Sequence, residues 1–308
     1  MVSEQLTQLV DRHVFLSGRP PMGEYLGFLK ASAVNGDAGT DRVLADEWRA
    51  ANDHIAELEA NEAGIVDNPA ILPLSEELQP LLGRLVADPI FQKSFSVVPA
   101  EVRVVELDRL IVFQKNINLN FVEEIQAKLG PNPSPEDIFQ ICLPFEHPTP
   151  SVQAMSVGQN SFAFVSPSGD LRVLDLQVFS ADQISRYAAS GPISGVVALV
   201  VGFGSNFLNA VSAENRLVLS NGSHRAYALR DLGMTHAPCI VQTISRREEL
   251  EVVVQPIHAN PDLYLRSPRP PMLKDYFDER LRKIVRVPRK LRQVRVGIQF
   301  EQLDMPAV

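Results

Sequence analysis

The sequence predicts an α+β protein. Apolar residues recur at helical spacing through the first third, and the character changes near Val97 to β-branched and aromatic runs. The middle then closes on a strand, corner, helix, strand order. At 308 residues, 45% hydrophobic and 21% charged, the chain has the balance of an ordinary globular protein with a sizeable core. These features divide it into an acidic helical region over 1–95, a mixed β-sheet core over 96–260, and a Pro-rich connector with a basic extension over 261–308.

Each element has a local reason. Ser3 can cap a helix carrying Leu6, Leu9 and Val10, while Trp48, Ala51, Ile55 and Leu58 share one face of a second. Ser75, Glu76 and Glu77 open a third, with Leu78, Leu81, Leu82 and Leu85 on its apolar side. Ala31 to Thr40 and Gly64 to Pro73 are rich in turn residues and predict loops. Val102 to Val105 and Leu110 to Phe113 predict strands. Asn118 or Asn120 then caps a helix with Phe121, Ile125 and Leu129 on one face and Gly130 at its end. Ser134-Pro135-Glu136-Asp137 opens a short helix. Ser161 to Val165 and Leu171 to Leu176 flank a Ser-Pro-Ser-Gly-Asp turn and predict a β-hairpin. Ser180 to Gln183 is a capping box for a helix that Gly191-Pro192 stops, and Val196 to Val201 reads as a buried strand. Arg216 to Leu219 predicts a strand, Ser223 to Leu232 a helix closed by Gly233, and Cys239 to Val241 a further strand. Ser245 to Glu248 is another capping box. Arg269-Pro270-Pro271-Met272 echoes Arg19-Pro20-Pro21-Met22 without longer self-similarity, which fits coincidence or two similar chain-docking turns.

Composition excludes several function classes. The longest aliphatic run, Val196 to Val201, falls far short of the roughly 20 residues that span a bilayer. Met1 to Leu6 lack the basic and apolar regions of a secretory signal, so the expectation is a cytoplasmic protein without membrane contact. Cys142 and Cys239 make neither a disulfide framework nor a CxxC motif and are expected as buried thiols. Phosphate-loop, HExxH and GxSxG signatures are absent, and Phe207 stands where a dinucleotide fingerprint beginning at Gly202 needs glycine. The 6 histidines include no pair at i, i+4 spacing, so no metal site is expected.

Net charge is −8, and residues 1–95 carry 15 acids against 7 bases. Residues 280–295 carry eight bases and no acid. Arg282, Arg286 and Arg289 fall on one helical face that Pro288 ends. The tail therefore predicts contact with an acidic protein surface, on the head of the same chain or on a second subunit of a homo-oligomer. Nucleic acid is a poorer partner because few aromatics sit among these bases.

What remains is the corner Ser220-Asn221-Gly222-Ser223-His224-Arg225. A strand ends, Gly222 permits a tight turn, and a helix opens with amides that have no intrahelical acceptor. The Ser223 hydroxyl and the His224 and Arg225 side chains add donors, a set suited to phosphate or carboxylate. The alternative is that Ser220 or Asn221 caps the helix while Arg225 pairs with an acid across the fold.

Leu219 to Val241 resembles the nucleotide-binding corner of the ParB/sulfiredoxin superfamily. The likeness rests on Asn-Gly-x-His-Arg, the alanine-rich helix, Leu232-Gly233, and Pro238 before a closing strand. Val105 to Leu110, Phe113-Gln114 and the helix from Phe121 are similar to that family's opening strand, Gln-containing turn and first helix. The resemblance covers residues 100–245 and implies a ParB/sulfiredoxin-like mixed β-sheet core. It also implies a nucleotide (ATP, ADP or CTP with magnesium) or another anionic small molecule held by Asn221, Gly222, Ser223, His224 and Arg225.

Departures from the family narrow this expectation. Sulfiredoxins keep a reactive cysteine where Ser223 stands, and a hydroxyl cannot supply the thiolate. ParB partition proteins carry paired arginines where His224 and Arg225 sit, followed by a helix-turn-helix that this sequence lacks. Serine kinases of the superfamily have a similar corner and need a carboxylate base. A phosphotransferase would thus use His224 with Glu106, although spacing does not separate Glu106 from Asp108, Glu123 or Glu124. Two rivals stand beside it. One is a non-catalytic regulatory or assembly protein that binds a partner. The other is a nucleotide-independent enzyme gripping a carboxylate substrate with His224 as acid and base.

Overall fold

The computed structural model describes residues 9–34, 39–183 and 190–305. In chain order come β1 (Val10–Leu16), α1 (Met22–Ser32), α2 (Asp41–Asn61), β2 (Ile71–Leu72), α3 (Gln79–Val86) and α4 (Pro89–Ser94). Next are β3 (Ala100–Glu106), β4 (Asn116–Asn118), α5 (Leu119–Leu129) and α6 (Pro135–Cys142). The strands β5 (Gln153–Gly158), β6 (Ser161–Ser166), β7 (Leu171–Ser180), β8 (Gly195–Phe203), β9 (Asn209–Ala213) and β10 (Arg216–Asn221) follow. The chain continues with α7 (Ser223–Asp231), β11 (His236–Thr243), three single-turn helices, β12 (Arg282–Pro288) and β13 (Arg292–Gly297).

The chain divides into two compact units, Met1–Glu146 with Asn206–Arg289, and His147–Ser205 with Lys290–Val308. This division cuts across the three regions expected from sequence, because strand pairing joins segments from opposite ends of the chain. In the larger unit, a five-stranded mixed sheet runs in the order β10-β9-β11-β3-β2. Its β11–β9 pair is parallel and the others are antiparallel. Val102 and Val105 of β3, Leu217 and Leu219 of β10, Ala237, Cys239, Ile240 and Val241 of β11, and the inner faces of α5, α6 and α7 form the main core. A second sheet, β12-β1-β4, pairs Val10 with Pro288 and Val14 with Ile117.

Local chemistry accounts for the helix starts. Thr40 caps α2, whose Leu44, Ala51 and Ile55 face inward. Asn118 Oδ1 accepts from Asn120 N at 3.0 Å to open α5, and Gly130 in the left-handed region (φ 71°) closes it. The buried face of α5 is Val122, Ile125 and Leu129, with Phe121 turned outward. Ser134 and Asp137 form the capping box of α6. At 245–249, Glu249 in place of Glu248 takes the amides of Ser245 and Arg246, at 2.8 and 3.1 Å.

Several expectations change. The helix expected from Ser3 falls mostly outside the described residues, and Val10 belongs to a strand. Arg282 and Arg286 also lie on a strand, β12, because Val285 and Val287 turn inward on either side of Arg286 and the period is two, not 3.6. Leu110 to Phe113 forms no strand: Ile111 alone bridges Val218 and Met272. The predicted hairpin of Ser161 to Val165 with Leu171 to Leu176 does not form either. β5 and β13 occupy the two edges of β6, and β7 pairs with β8. The Ser180 capping box does bring Gln183 Oε1 to the Ser180 amide at 2.9 Å, but residues 184–189 of the expected helix lie outside those described.

The two Arg-Pro-Pro-Met segments are docking turns that meet at one carboxylate. Arg269 is fully buried and holds Asp275 through two hydrogen bonds of 2.6 and 2.9 Å, and Arg19 Nη2 lies 4.0 Å from the same group. The basic tail docks on the acidic head of its own chain: Lys283 reaches Glu47 at 2.5 Å and Arg289 reaches Asp11 at 2.6 Å.

In the smaller unit, β13-β6-β5 form an antiparallel sheet and β7 and β8 form a two-stranded ribbon with a bulge between Val173 and Asp175. No helix among the described residues is long and apolar enough to cross a membrane.

Candidate functional site

The corner forms where expected, and the side chains of Ser220, Asn221, His224 and Arg225 each have a structural partner. β10 ends at Asn221, Gly222 adopts φ 96°, and α7 starts at Ser223. That φ favours glycine, and a Cβ there would stand 2.5 Å from Leu208 Cδ1 and 3.2 Å from Arg225 Nη2. The space over the turn is thus filled by the protein's own atoms. Ser220 Oγ donates to Val253 O at 3.1 Å, and Asn221 Nδ2 donates to Phe207 O at 2.9 Å. Neither side chain caps α7.

Arg225 turns inward. It is buried, and its Nη1 donates to Asn206 O at 2.6 Å and Cys142 O at 3.0 Å. Leu208 N donates to the same Cys142 carbonyl at 2.8 Å. Cys142 ends α6 just before the chain leaves for the smaller unit at His147, and Asn206 is where it returns. The guanidinium therefore ties together the two stems from which the insertion departs, in the role of a charge-assisted clamp on main-chain oxygens.

His224 is likewise engaged. Its Nε2 accepts from Asn118 N at 3.0 Å, and Phe121 stacks edge-on with ring centroids 5.3 Å apart. Burial, with the neighbouring His13 and Arg225 charges, depresses its pKa from 6.5 to about 4, so the ring is neutral near pH 7 and its proton sits on Nδ1. Ser223 is buried at the first helical position. Burial also raises the Cys142 thiol to about 12 and the Cys239 thiol further, which leaves both inert, as expected of buried cysteines.

The proposed acid does not join this group. Glu106 ends β3 opposite His236 and pairs with Arg109 at 3.2 Å. Its neighbour Asp108 binds Arg230 in the last turn of α7 at 3.0 Å, the end of that helix opposite His224. Nine residues of helix separate the two ends by about 13 Å. Glu123 is paired with Arg12. Among the described residues no cluster of three His, Cys, Asp or Glu is placed to hold a metal. A shallow cavity lined by Ala213, Glu214, Ile244, Arg246 and Leu265 lies at the turn end of the β9–β10 hairpin, away from the corner.

A second feature escaped the sequence reading. Three alternate cross-strand pairs of the β7–β8 ribbon, Val178 with Val197, Leu176 with Leu199 and Val173 with Val201, put six aliphatic side chains on one face. Val178 is 77% exposed, Val197 67% and Leu176 64%. Asp175 and Gln177 point to the opposite face. The apolar run of β8 suggested burial on both sides, whereas every residue of that strand is at least partly exposed. The available signal was Leu176-Gln177-Val178, an alternation that matches a strand with one polar face.

No family model, no curated protein and no solved structure matches this chain.

Proposed function

We propose that this chain is a non-catalytic assembly or regulatory protein whose smaller unit docks a protein partner through the outward face of the β7–β8 ribbon. The observation that carries the proposal is the set of three aliphatic pairs on that face, in which Val173, Leu176, Val178 and Val197 are exposed and Leu199 and Val201 half-buried. Isolated exposed apolar residues are common, but a contiguous charge-free face is characteristic of an interaction surface. The corner supports the same reading, since Arg225 and His224 are committed to main-chain partners and Glu106 lies elsewhere. A nucleotide or other anion at the corner would have Ser223 and the amides of α7 as its donors, without the guanidinium that the superfamily resemblance implied.

The test is a photo-reactive amino acid placed at position 178 of the full chain in its own cells, with position 42 on α2 as the control. A defined protein adduct at 178, lost on adding Val197→Lys and absent at 42, is expected. No adduct at 178 would overturn the proposal, as would nucleotide-dependent stabilisation abolished by Ser223→Ala.

A further inference from the structure

We infer that the partner is a second copy of this chain, packed ribbon face to ribbon face about a twofold axis; this inference rests on the docking reading above. Charge is the first argument. The smaller unit holds five acids (Asp170, Asp175, Asp182, Glu301, Asp304) and five bases (Arg172, Arg186, Lys290, Arg292, Arg295), so the whole net charge of −8 belongs to the larger unit. Two copies meeting through the smaller unit bring no net charge together, whereas contact through the larger unit opposes two like charges.

Self-complementarity is the second argument. The patch of Val173, Leu176, Val178, Val197, Leu199 and Val201 has no side-chain donor, acceptor or charge, and beyond it, at the end of the ribbon, the Ser180 hydroxyl is taken up by Asp182 and Gln183. Discrimination among unlike partners relies on polar groups or built-in repulsion, and this face has neither. A face of aliphatic pairs fits its own copy, in the manner of two sheets stacked about 10 Å apart. Its exposed area is on the order of 500 Å². Two such faces together bury about 1,000 Å², the lower bound of a specific interface. The isologous geometry of a twofold dimer needs only this one patch on each copy.

The experiment is light scattering with size exclusion on the full chain, for the native sequence, Val178→Lys and Gln177→Lys. Position 178 lies on the aliphatic face and 177 on the opposite one, and both are exposed, so neither lysine meets a packed core. The expected result is a dimer for the native chain and Gln177→Lys, and a monomer for Val178→Lys with unchanged thermal midpoints. A second measurement guards against misfolding. With Cys142 and Cys239 buried, Val178→Cys supplies an accessible thiol that a short bis-maleimide should link into a dimer, while Gln177→Cys should stay unlinked. A native chain that is monomeric at every concentration, or a dimer untouched by Val178→Lys, overturns the inference. A photo-adduct at 178 to a different protein would leave the docking reading standing and remove the second copy as its partner; no adduct at all removes both.

Discussion

Replacing Arg225 by methionine separates a structural clamp from a ligand clamp. Methionine keeps most of the side-chain volume but donates nothing, so the Asn206 carbonyl loses its 2.6 Å donor and Cys142 O keeps only the Leu208 amide. Hydrogen bonds from a charged donor contribute about 1.5–3 kcal/mol each, and two are lost. Release of the buried guanidinium from its desolvated site offsets part of that sum. The net expectation is a destabilisation of about 3 kcal/mol, which lowers the melting midpoint of a unit of this size by roughly 6–12 °C. Urea unfolding of the full chain reads the total. Hydrogen exchange reads its location, because the Leu208 amide should lose protection before the amides of β3. Stability within about 0.5 kcal/mol of the native chain, with Leu208 protection intact, would refute the inward clamp.

His224, Asp275 and Glu47 offer further tests. His224 has a folded pKa of about 4 against 6.5 when unfolded, so between these values the unfolded chain binds the extra proton. Its contribution is complete above about pH 6.5, falls as pH drops, and is exhausted near pH 4, a change on the order of 3 kcal/mol. His224→Gln keeps an acceptor for the Asn118 amide and does not titrate; the difference in unfolding free energy between the two proteins should therefore vary with pH across this window, and a constant difference would exclude the buried neutral imidazole. Asp275→Asn leaves the buried Arg269 with Glu62 as its remaining carboxylate and should cost about 3–5 kcal/mol by urea unfolding, while Glu47→Gln, which loses the more exposed pair with Lys283, should cost less than about 1 kcal/mol.

The segment from Arg216 to Val241 was legible because independent signals agree there. Apolar strand runs, a glycine that only a left-handed turn requires, and Gly233 at the helix end all specify the same elements. The direction of the Arg225 side chain was not legible. It depends on what lies over the corner, and the partners are Cys142 and Asn206, 83 and 19 positions away in the chain. The tail shows a different limit. Arg282 and Arg286 are four apart, a spacing that fits one helical face and also one side of a strand, and the pairing of β12 with β1 decides between them. The wrongly joined hairpin has the same origin: local turn chemistry between β6 and β7 was sound, but β13, contributed from far along the sequence, occupies the edge of β6.

β12 and β13 stand next to each other near the end of the chain, yet each completes a sheet in a different unit. During synthesis β1 and β6 leave the ribosome long before β12 and β13, so one edge of each stays bare until those later strands are made. Late closure of this kind lengthens the interval in which unpaired edges can meet those of neighbouring nascent chains. Shortening the protein before Arg282 would consequently open both sheets at once.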